Sequence, residues 1–108
     1  MLWCQGETDG DLGTDPDEYK AEFKNMFHQM KEAGIEKCFL ITIGEYNGEE
    51  NYDYTPIRSA QLELCEEIPD VILVGDDFYK MKAIGLMKDD FHYFQRAYNE
   101  VGRIAGKL

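Results

Sequence analysis

Two short apolar runs constrain the fold of this chain more than any other feature. They are CFLITIG, at residues 38–44, and VILVG, at residues 71–75. Both runs contain β-branched residues and lack the alternation of polar and apolar positions that marks a half-solvated strand. Continuous apolar runs of this length are typical of strands that are buried on both faces of a parallel sheet. The two runs therefore predict two buried parallel strands.

Helical patterns surround these runs. Residues 16–34 begin with Pro16 and acidic residues and stop at Gly34, and residues 57–68 and 94–107 also repeat apolar side chains at helical spacing. Leu2–Cys4 reads as the end of a further strand, whereas residues 6–15 and 45–56 read as polar loops. The residues predicted to face inward are Tyr19, Phe23, Met26, Phe27, Met30, Ile57, Ala60, Leu64, Cys65, Ala97, Tyr98, Val101, Ile104 and Ala105.

The alternation of strands and helices predicts the fold class. A chain of 108 residues fits one domain, and this order of elements predicts an α/β fold with a parallel sheet covered by helices on both faces. Ligands of such sheets bind at the carboxyl ends of the strands. The topology therefore brings Gln5, residues 45–54 and residues 89–92 towards one edge.

The composition excludes several classes of partner. The net charge of −11 argues against nucleic acid and against anionic membrane surfaces, because both need clustered Lys and Arg. No apolar run reaches transmembrane length, and the chain as written shows no signal peptide, so we expect a cytoplasmic protein. Cys4, Cys38 and Cys65 form neither a disulfide framework nor a Cys-x-x-Cys zinc motif.

Three motifs resemble the blocks of a known enzyme family. The first, W-x-Q-G-E-x-D, comprises Trp3, Gln5, Gly6, Glu7 and Asp9. The second is IRSAQL at residues 57–62, and the third is DDFH at residues 89–92, which fits D-x-x-H and precedes YNEVGRIAG. In this order they resemble the SGNH hydrolases, in particular the sialate O-acetylesterase-like and acetylxylan esterase-like branch (carbohydrate esterase family 6). The resemblance covers nearly the whole chain.

The resemblance implies a fold, a reaction and a set of roles. The fold is a flavodoxin-like three-layer α/β/α sandwich, and the reaction is hydrolysis of carbohydrate O-acetyl esters without a metal or another cofactor. His92 is implied as the general base, Asp89 as the carboxylate that orients it, and Gln5 as a donor to the oxyanion. The residues expected to shape the loop are Trp3, Gly6, Glu7 and Asp9, and those expected to contact the sugar are Tyr46, Asn47 and Tyr52.

The nucleophile block of the family has no counterpart here. The family places its serine in a G-Q-S-N-type block, whereas the only serine of this chain is Ser59, inside a predicted helix. Residues 1–108 therefore resemble the C-terminal portion of one SGNH hydrolase domain without its N-terminal strands. We expect the chain alone to be inactive, and to cover its open sheet edge by self-association or by pairing with the missing N-terminal segment. An inactive truncated protein and a sugar-binding or interaction module on the same scaffold are the alternatives.

Three further interpretations concern single features. The acidic window of residues 7–18 resembles an EF-hand calcium loop, but Leu12 stands where the turn needs Gly and no helix precedes it. A solvated acidic loop before a helix is the favoured interpretation. His28 is expected to be partly buried beside the apolar stripe of its helix. Cys4 is not favoured as a nucleophile, because the family often has an aromatic residue at that position.

Overall fold

Three parallel strands form one sheet in the part of the chain that the structure describes. The computed structural model describes residues 1–48, 52–87, 92–93 and 95–107. The strands are β1 (Leu2–Trp3), β2 (Cys38–Ile41) and β3 (Val71–Gly75), and they lie in the order β1-β2-β3. The predicted parallel sheet is confirmed. Strand β2 ends three residues before the predicted end, because the N–H of Ile43 bonds to the side chain of Gln61 instead of to a neighbouring strand.

Four α-helices accompany the sheet in the described part of the chain. They are α1 (Glu7–Leu12), α2 (Pro16–Glu32), α3 (Thr55–Glu67) and α4 (Gln95–Ala105), and a short 3-10 helix spans Phe78–Lys80. The side chain of Asp15 caps α2 by accepting a hydrogen bond from the N–H of Asp17 at 2.8 Å. Helix α3 begins two residues earlier than predicted, because Pro56 is accommodated in its first turn.

The core divides into one cluster on each face of the sheet. Helices α2 and α3 pack with Cys38, Leu40 and Val71 on one face. Helix α4 packs with Ile41 and Val74 on the other face. Helices therefore pack on both faces of the sheet, which confirms the α/β class with three layers.

Three of the predictions about burial, for Met30, Tyr98 and His28, are wrong. Met30 is 39% exposed because it lies in the last turn of α2, one turn beyond the last buried residue, Phe27. Tyr98 is 38% exposed and lies at the rim of the α4 face. His28 is exposed rather than partly buried, since it lies one position past Phe27 and is directed away from the core towards Glu32, 3.2 Å from it.

The segment predicted as a polar loop, residues 6–15, contains helix α1. Acidic residues Glu7 and Asp9 occupy its first turn, where they favour the positive end of the helix dipole. Gly13 closes the helix in the left-handed conformation, with φ of 65°. Three glycines in ten residues weaken the helical pattern in the sequence. Gly10 is nevertheless required, because a Cβ at this position would overlap the ring of Tyr54.

Apolar side chains of β1 and of the adjacent strand β2 are exposed on one face of the sheet. Leu2 of β1 and Phe39 of β2 are partners in the register and are 66% and 41% exposed. Strand β1 lies at the end of the strand order, with β2 as its one neighbour among the described residues. In that same part of the chain, none of the helices has the length and hydropathy that crossing a membrane requires.

The packing of Gly10 gives a test of the fold. We expect Gly10→Ala to lower the free energy of unfolding by about 1–3 kcal/mol, because the ring of Tyr54 is buried and cannot withdraw freely. Gly102→Ala in α4 is the matched control, since open space surrounds the position of its Cβ. This control should raise the free energy of unfolding by roughly 0.5–1 kcal/mol through helix propensity. Urea denaturation measures both variants, and equal effects of the two substitutions would contradict the packing.

Candidate active site

A buried glutamine holds together the segments that follow two strands. The side chain of Gln61 in α3 is fully buried. Its Nε2 donates to the carbonyl oxygen of Gln5 at 2.7 Å and to the hydroxyl of Tyr19 at 3.0 Å. Its Oε1 accepts from the N–H of Ile43 at 2.9 Å. Since Gln5 follows β1 and Ile43 follows β2, one side chain fixes both strand ends.

Gln61 belongs to the IRSAQL motif, but its role was not predicted from the sequence. The sequence offered one indication of this role, since the amide side chain of Gln61 falls on the inward face of α3 among Ile57, Ala60 and Leu64. A buried amide needs hydrogen-bond partners, and backbone groups at strand ends can supply them. The position therefore indicated a connection between α3 and a loop, although the sequence could not identify which loop.

The side chain of Trp3 is held in the same network. Its Nε1 donates to the hydroxyl of Tyr19 at 3.3 Å, and that hydroxyl donates to the carbonyl of Gln5 at 3.1 Å. The Trp3 ring also meets the ring of Phe23 edge-on at 5.6 Å. Gly6 has φ of 149°, and a Cβ there would lie 3.0 Å from the side chain of Ile57, so the close approach to α3 requires glycine.

The acidic residues of the first motif make local hydrogen bonds. Glu7 Oε2 accepts from the N–H of Gly6 at 3.1 Å. Asp9 Oδ1 accepts from the hydroxyl of Thr14 at 3.0 Å, a side-chain partner rather than a backbone N–H. Asp11 accepts from the hydroxyl of Tyr54 at 2.6 Å. These bonds connect α1 to its surroundings; the loop-shaping roles of Glu7 and Asp9 stay predictions.

His92 lines a cavity of about 300 Å³ at the strand-end edge of the sheet. The cavity is lined by Cys4, Glu7, Thr8, Phe78, His92, Tyr93 and Tyr98. Asp89, the residue expected to orient His92, lies outside the described residues. The structure thus brings the expected base next to the first motif.

Tyr93 fixes the backbone beside His92. Its ring stacks on Phe78 with 4.4 Å between centroids, and its N–H donates to the hydroxyl of Tyr98 at 3.1 Å. Tyr93 also pairs with Met87 in an antiparallel bridge. Its hydroxyl lies against Gly44, where a Cβ would also come within 2.8 Å of the carbonyl oxygen of Phe78. The packing of Tyr93 therefore restrains the backbone at the adjacent residue, His92.

Glu7 is an acidic side chain whose charge acts on other groups at this cavity. Burial raises the pKa of Glu7, and the charge of Asp11 adds to the effect, whereas hydrogen bonds from the backbone and the charge of His92 act in the opposite direction. Cys4 is exposed as a residue, yet desolvation of its thiol and the charge of Glu7 raise its pKa to about 11. The neutral thiol is a poor nucleophile at pH 7, which argues against a catalytic role for Cys4.

Gln5 lies in an adjoining cavity. This cavity has a volume of about 380 Å³ and is lined by Trp3, Gln5, Gly6, Glu7, Thr8, Asp9, Tyr19, Glu22, Phe23 and Met26. Glu7 and Thr8 line both cavities, so the wall between Gln5 and His92 is formed by the first turn of α1. The backbone of Gln5 is fixed by Gln61, while its side chain is exposed.

Two of the three residues predicted to contact the sugar, Tyr46 and Tyr52, line a third, smaller cavity, whereas Asn47 does not. This cavity has a volume of about 160 Å³, and its lining includes Tyr46, Tyr52 and Lys82. Tyr46 is buried, and its ring meets the ring of Tyr52 at 4.8 Å. Tyr52 is 42% exposed and Asn47 is exposed. Tyr52 and Asn47 are therefore surface residues, whereas Tyr46 belongs to the core.

A charged cluster that the sequence did not reveal joins the ends of β2 and β3. Arg58 donates from Nε and Nη2 to the two carboxylate oxygens of Asp76, at 2.9 and 2.7 Å. The hydroxyl of Thr42 donates to the same carboxylate at 2.5 Å. The guanidinium also lies 3.9 Å from the ring centroid of Tyr79. Polar residues directly after two buried strands were the signal for this cluster.

Ser59 and the acidic window do not provide the missing chemistry. Ser59 is exposed on α3 and is not among the residues that line the His92 cavity. Half of the window considered as a calcium loop is helix α1, and its carboxylates at Asp9 and Asp11 bond to Thr14 and Tyr54. Across residues 1–48, 52–87, 92–93 and 95–107, no group of three or more His, Cys, Asp or Glu side chains is arranged to hold a metal ion.

A comparison with known protein families identifies the family of this chain. The family model described as "Carbohydrate esterase, sialic acid-specific acetylesterase" matches residues 1–107. The chain belongs to this family. The match includes all three motif blocks and confirms the resemblance on which the site was predicted. Neither the curated proteins nor the solved structures contain a match to this member of the carbohydrate esterase family.

Proposed function

We propose that this chain is the C-terminal portion of an SGNH-type carbohydrate O-acetyl ester hydrolase domain. The observation that carries the proposal is the family match over residues 1–107, combined with the location of His92 and Gln5 in adjoining cavities. Its substrate would be an acetylated carbohydrate, with Tyr46, Asn47 and Tyr52 as candidate contacts. The domain range of residues 1–108 and the cytoplasmic location stay predictions.

The mechanism assigns one step to each proposed residue. His92 takes the proton of the nucleophile as it attacks the acetyl carbon, and then returns it to the sugar hydroxyl that leaves. Asp89 orients the imidazole and stabilises its charged form. Gln5 donates a hydrogen bond from its side-chain amide to the oxyanion, a contact that contributes about 3–4 kcal/mol in comparable sites.

The nucleophile is proposed to come from a segment outside these 108 residues. Ser59 lies on a helix and lacks the sharp turn that exposes a nucleophilic serine. Cys4 is held as a thiol by its raised pKa. The chain therefore contributes the proposed base and one oxyanion donor, and a complete reaction requires a further strand and serine.

A turnover assay tests this proposal. We expect the 108-residue chain to release acetate from p-nitrophenyl acetate and from acetylated sugars no faster than His92→Ala, because the base has no nucleophile to activate. Appending a segment with the family's G-Q-S-N-type block should produce turnover that His92→Ala abolishes. Since one general base contributes roughly 10²–10⁴-fold, the loss should be of that size.

Two results would contradict the proposal. Activity of the 108-residue chain that His92→Ala abolishes would place the nucleophile inside the chain, and Cys4→Ala and Ser59→Ala would then locate it. Sugar binding by the chain and by every completed form, without turnover in any of them, would favour a sugar-binding module instead. The sugar-binding module is retained as a second candidate function because the exposed residue Tyr52 lines a polar cavity.

The exposed edge of β1 supports a proposal on assembly. Leu2 and Phe39 present apolar side chains beside an edge strand, and such surfaces pair with a further strand or with a second copy. The net charge of −11 opposes pairing of two identical chains, so salt should promote it by screening. We therefore propose self-association of the isolated chain at high ionic strength.

Sedimentation velocity tests this association. We expect the sedimentation coefficient to rise with protein concentration in high salt, and Leu2→Asp to suppress the rise by placing a charge on the apolar face. Leu12→Asp is the matched control, because Leu12 is 76% exposed and lies at the end of helix α1 rather than on a strand. A monomer at high concentration and high salt, or an equal effect of the two variants, would contradict the proposal.

A further inference from the structure

Arg58 holds two residues of the segment that follows β3. Its Nε and Nη2 donate to both carboxylate oxygens of Asp76, at 2.9 and 2.7 Å, which is the bidentate geometry of a planar guanidinium. The same guanidinium lies 3.9 Å from the ring centroid of Tyr79. Thr42 also donates to this carboxylate, so Asp76 is bonded both from α3 and from the end of β2. The segment is therefore fixed on both sides of Phe78.

Phe78 lies between these two fixed residues and supports a ring stack. It is the first residue of the 3-10 helix and is buried. Its ring stacks on Tyr93 with 4.4 Å between centroids and 24° between planes. Tyr98 of α4 meets both rings edge-on, at 5.8 and 5.6 Å. Since aromatic pairs are favourable in a limited set of geometries, a displacement of Phe78 would change the position of Tyr93.

Tyr93 connects this stack to His92. The two residues are adjacent in the chain, and both line the cavity of about 300 Å³ together with Phe78. The hydroxyl of Tyr93 lies against Gly44, and the carbonyl oxygen of Phe78 lies beside the same glycine. Direct contacts therefore lead from the guanidinium of Arg58 to the residue next to the proposed base. We call this series of contacts the Arg58 contact path.

Arg58 has a remote position in this arrangement. Among the described residues, it is not one of those that line the His92 cavity. Its hydrogen bonds are directed to Asp76, and 22% of its side chain is exposed. Chains of packed side chains can carry an effect between separated groups. A general base must lie within hydrogen-bond reach of the proton it takes, so a small displacement of its backbone lowers the rate.

We propose that Arg58 is a positioning residue that fixes the backbone at His92 through Phe78 and Tyr93. The use of the Arg58 contact path in catalysis rests on the proposed esterase function. The path itself does not, since it can be measured in the folded 108-residue chain without turnover.

NMR of the folded chain tests the Arg58 contact path. Arg58→Lys retains a positive charge but loses the bidentate hydrogen bonds and the flat guanidinium. We expect it to weaken the nuclear Overhauser contacts between the rings of Phe78 and Tyr93 at least about twofold, because the stack depends on the position of both rings. The imidazole signals of His92 should move at the same time.

Two controls belong to this experiment. His28, which is exposed on α2, is the internal reference, and its imidazole signals should not change. Arg103→Lys is the matched control, since Arg103 also donates from two nitrogens to one carboxylate, that of Glu100, but within its own helix. It should leave the signals of His92 in place.

A double-substitution cycle tests whether Arg58 acts through Phe78. Phe78→Leu retains an apolar side chain and removes the ring on which Tyr93 stacks, so it should move the His92 signals by itself. Arg58→Lys should then cause no further change in the Phe78→Leu chain, whereas the effects of independent sites add. A residue that only stabilises the fold would not produce this non-additivity in the signals of the folded protein.

Tyr79→Leu keeps the proposal testable if Arg58→Lys does not fold. It removes the ring that lies against the guanidinium and leaves both hydrogen bonds to Asp76, and it should move the His92 signals in the same direction. Unchanged His92 signals in the folded variant of Arg58 or Tyr79, equal movement in Arg103→Lys, or additive effects in the double variant would each overturn the proposal.

The failure of this inference and the failure of the proposed function have different signatures. In a form completed with a serine segment, we expect Arg58→Lys to lower kcat per folded molecule about fivefold or more with KM unchanged. Turnover that depends on His92 but is unaffected by Arg58→Lys would remove the positioning role and leave the esterase proposal intact. Absence of His92-dependent turnover, with the NMR effects intact, would overturn the catalytic use of the path together with the proposed function.

Discussion

The side chain of Gln61 is the interaction on which the candidate site depends. Its three hydrogen bonds join α3 to the segment after β1, to α2 and to the segment after β2. A buried amide is stable in an apolar core only when its polar atoms are paired, so the arrangement of all three segments is coupled. If Gln5 moved from its place, Gln61 would lose a partner in a region that water does not reach. The first motif is thereby attached to the core.

That attachment explains how residues from both ends of the chain meet. Gln5 and Glu7 lie at the carboxyl end of β1, and His92 reaches the same edge because Tyr93 is packed against Phe78 and Gly44. The cluster of Arg58, Thr42 and Asp76 performs a similar task for β2 and β3. Polar connections between strand ends, rather than the apolar core alone, therefore determine the geometry of this edge.

The three strands and the three longer helices were predictable from the sequence, whereas helix α1 and the connections between elements were not. Cys38–Ile41 and Val71–Gly75 could be recognised because continuous apolar runs have one favourable location, between two layers of helices. Helix α1 was not predicted because it is stabilised by the packing of Gly10 on Tyr54 and by the C-cap at Gly13. The helix propensities of its residues do not report either contribution. The partners of Gln61 and Arg58 are distant in the sequence, so no spacing rule could identify them. The proximity of Glu7 and His92 has the same origin.

The most direct test of this account is the stability of Gln61→Met. Methionine has nearly the same length and no hydrogen-bonding amide, so the buried N–H of Ile43 would lose its partner, whereas the carbonyl of Gln5 would keep the hydrogen bond from Tyr19. Because an unsatisfied buried group costs about 1–3 kcal/mol, we predict that urea denaturation will show a loss of roughly that size in the free energy of unfolding. The exposed control Gln29→Met should change it by less than about 0.5 kcal/mol. A Gln61→Met chain as stable as the control would contradict the claim that this side chain holds the site together.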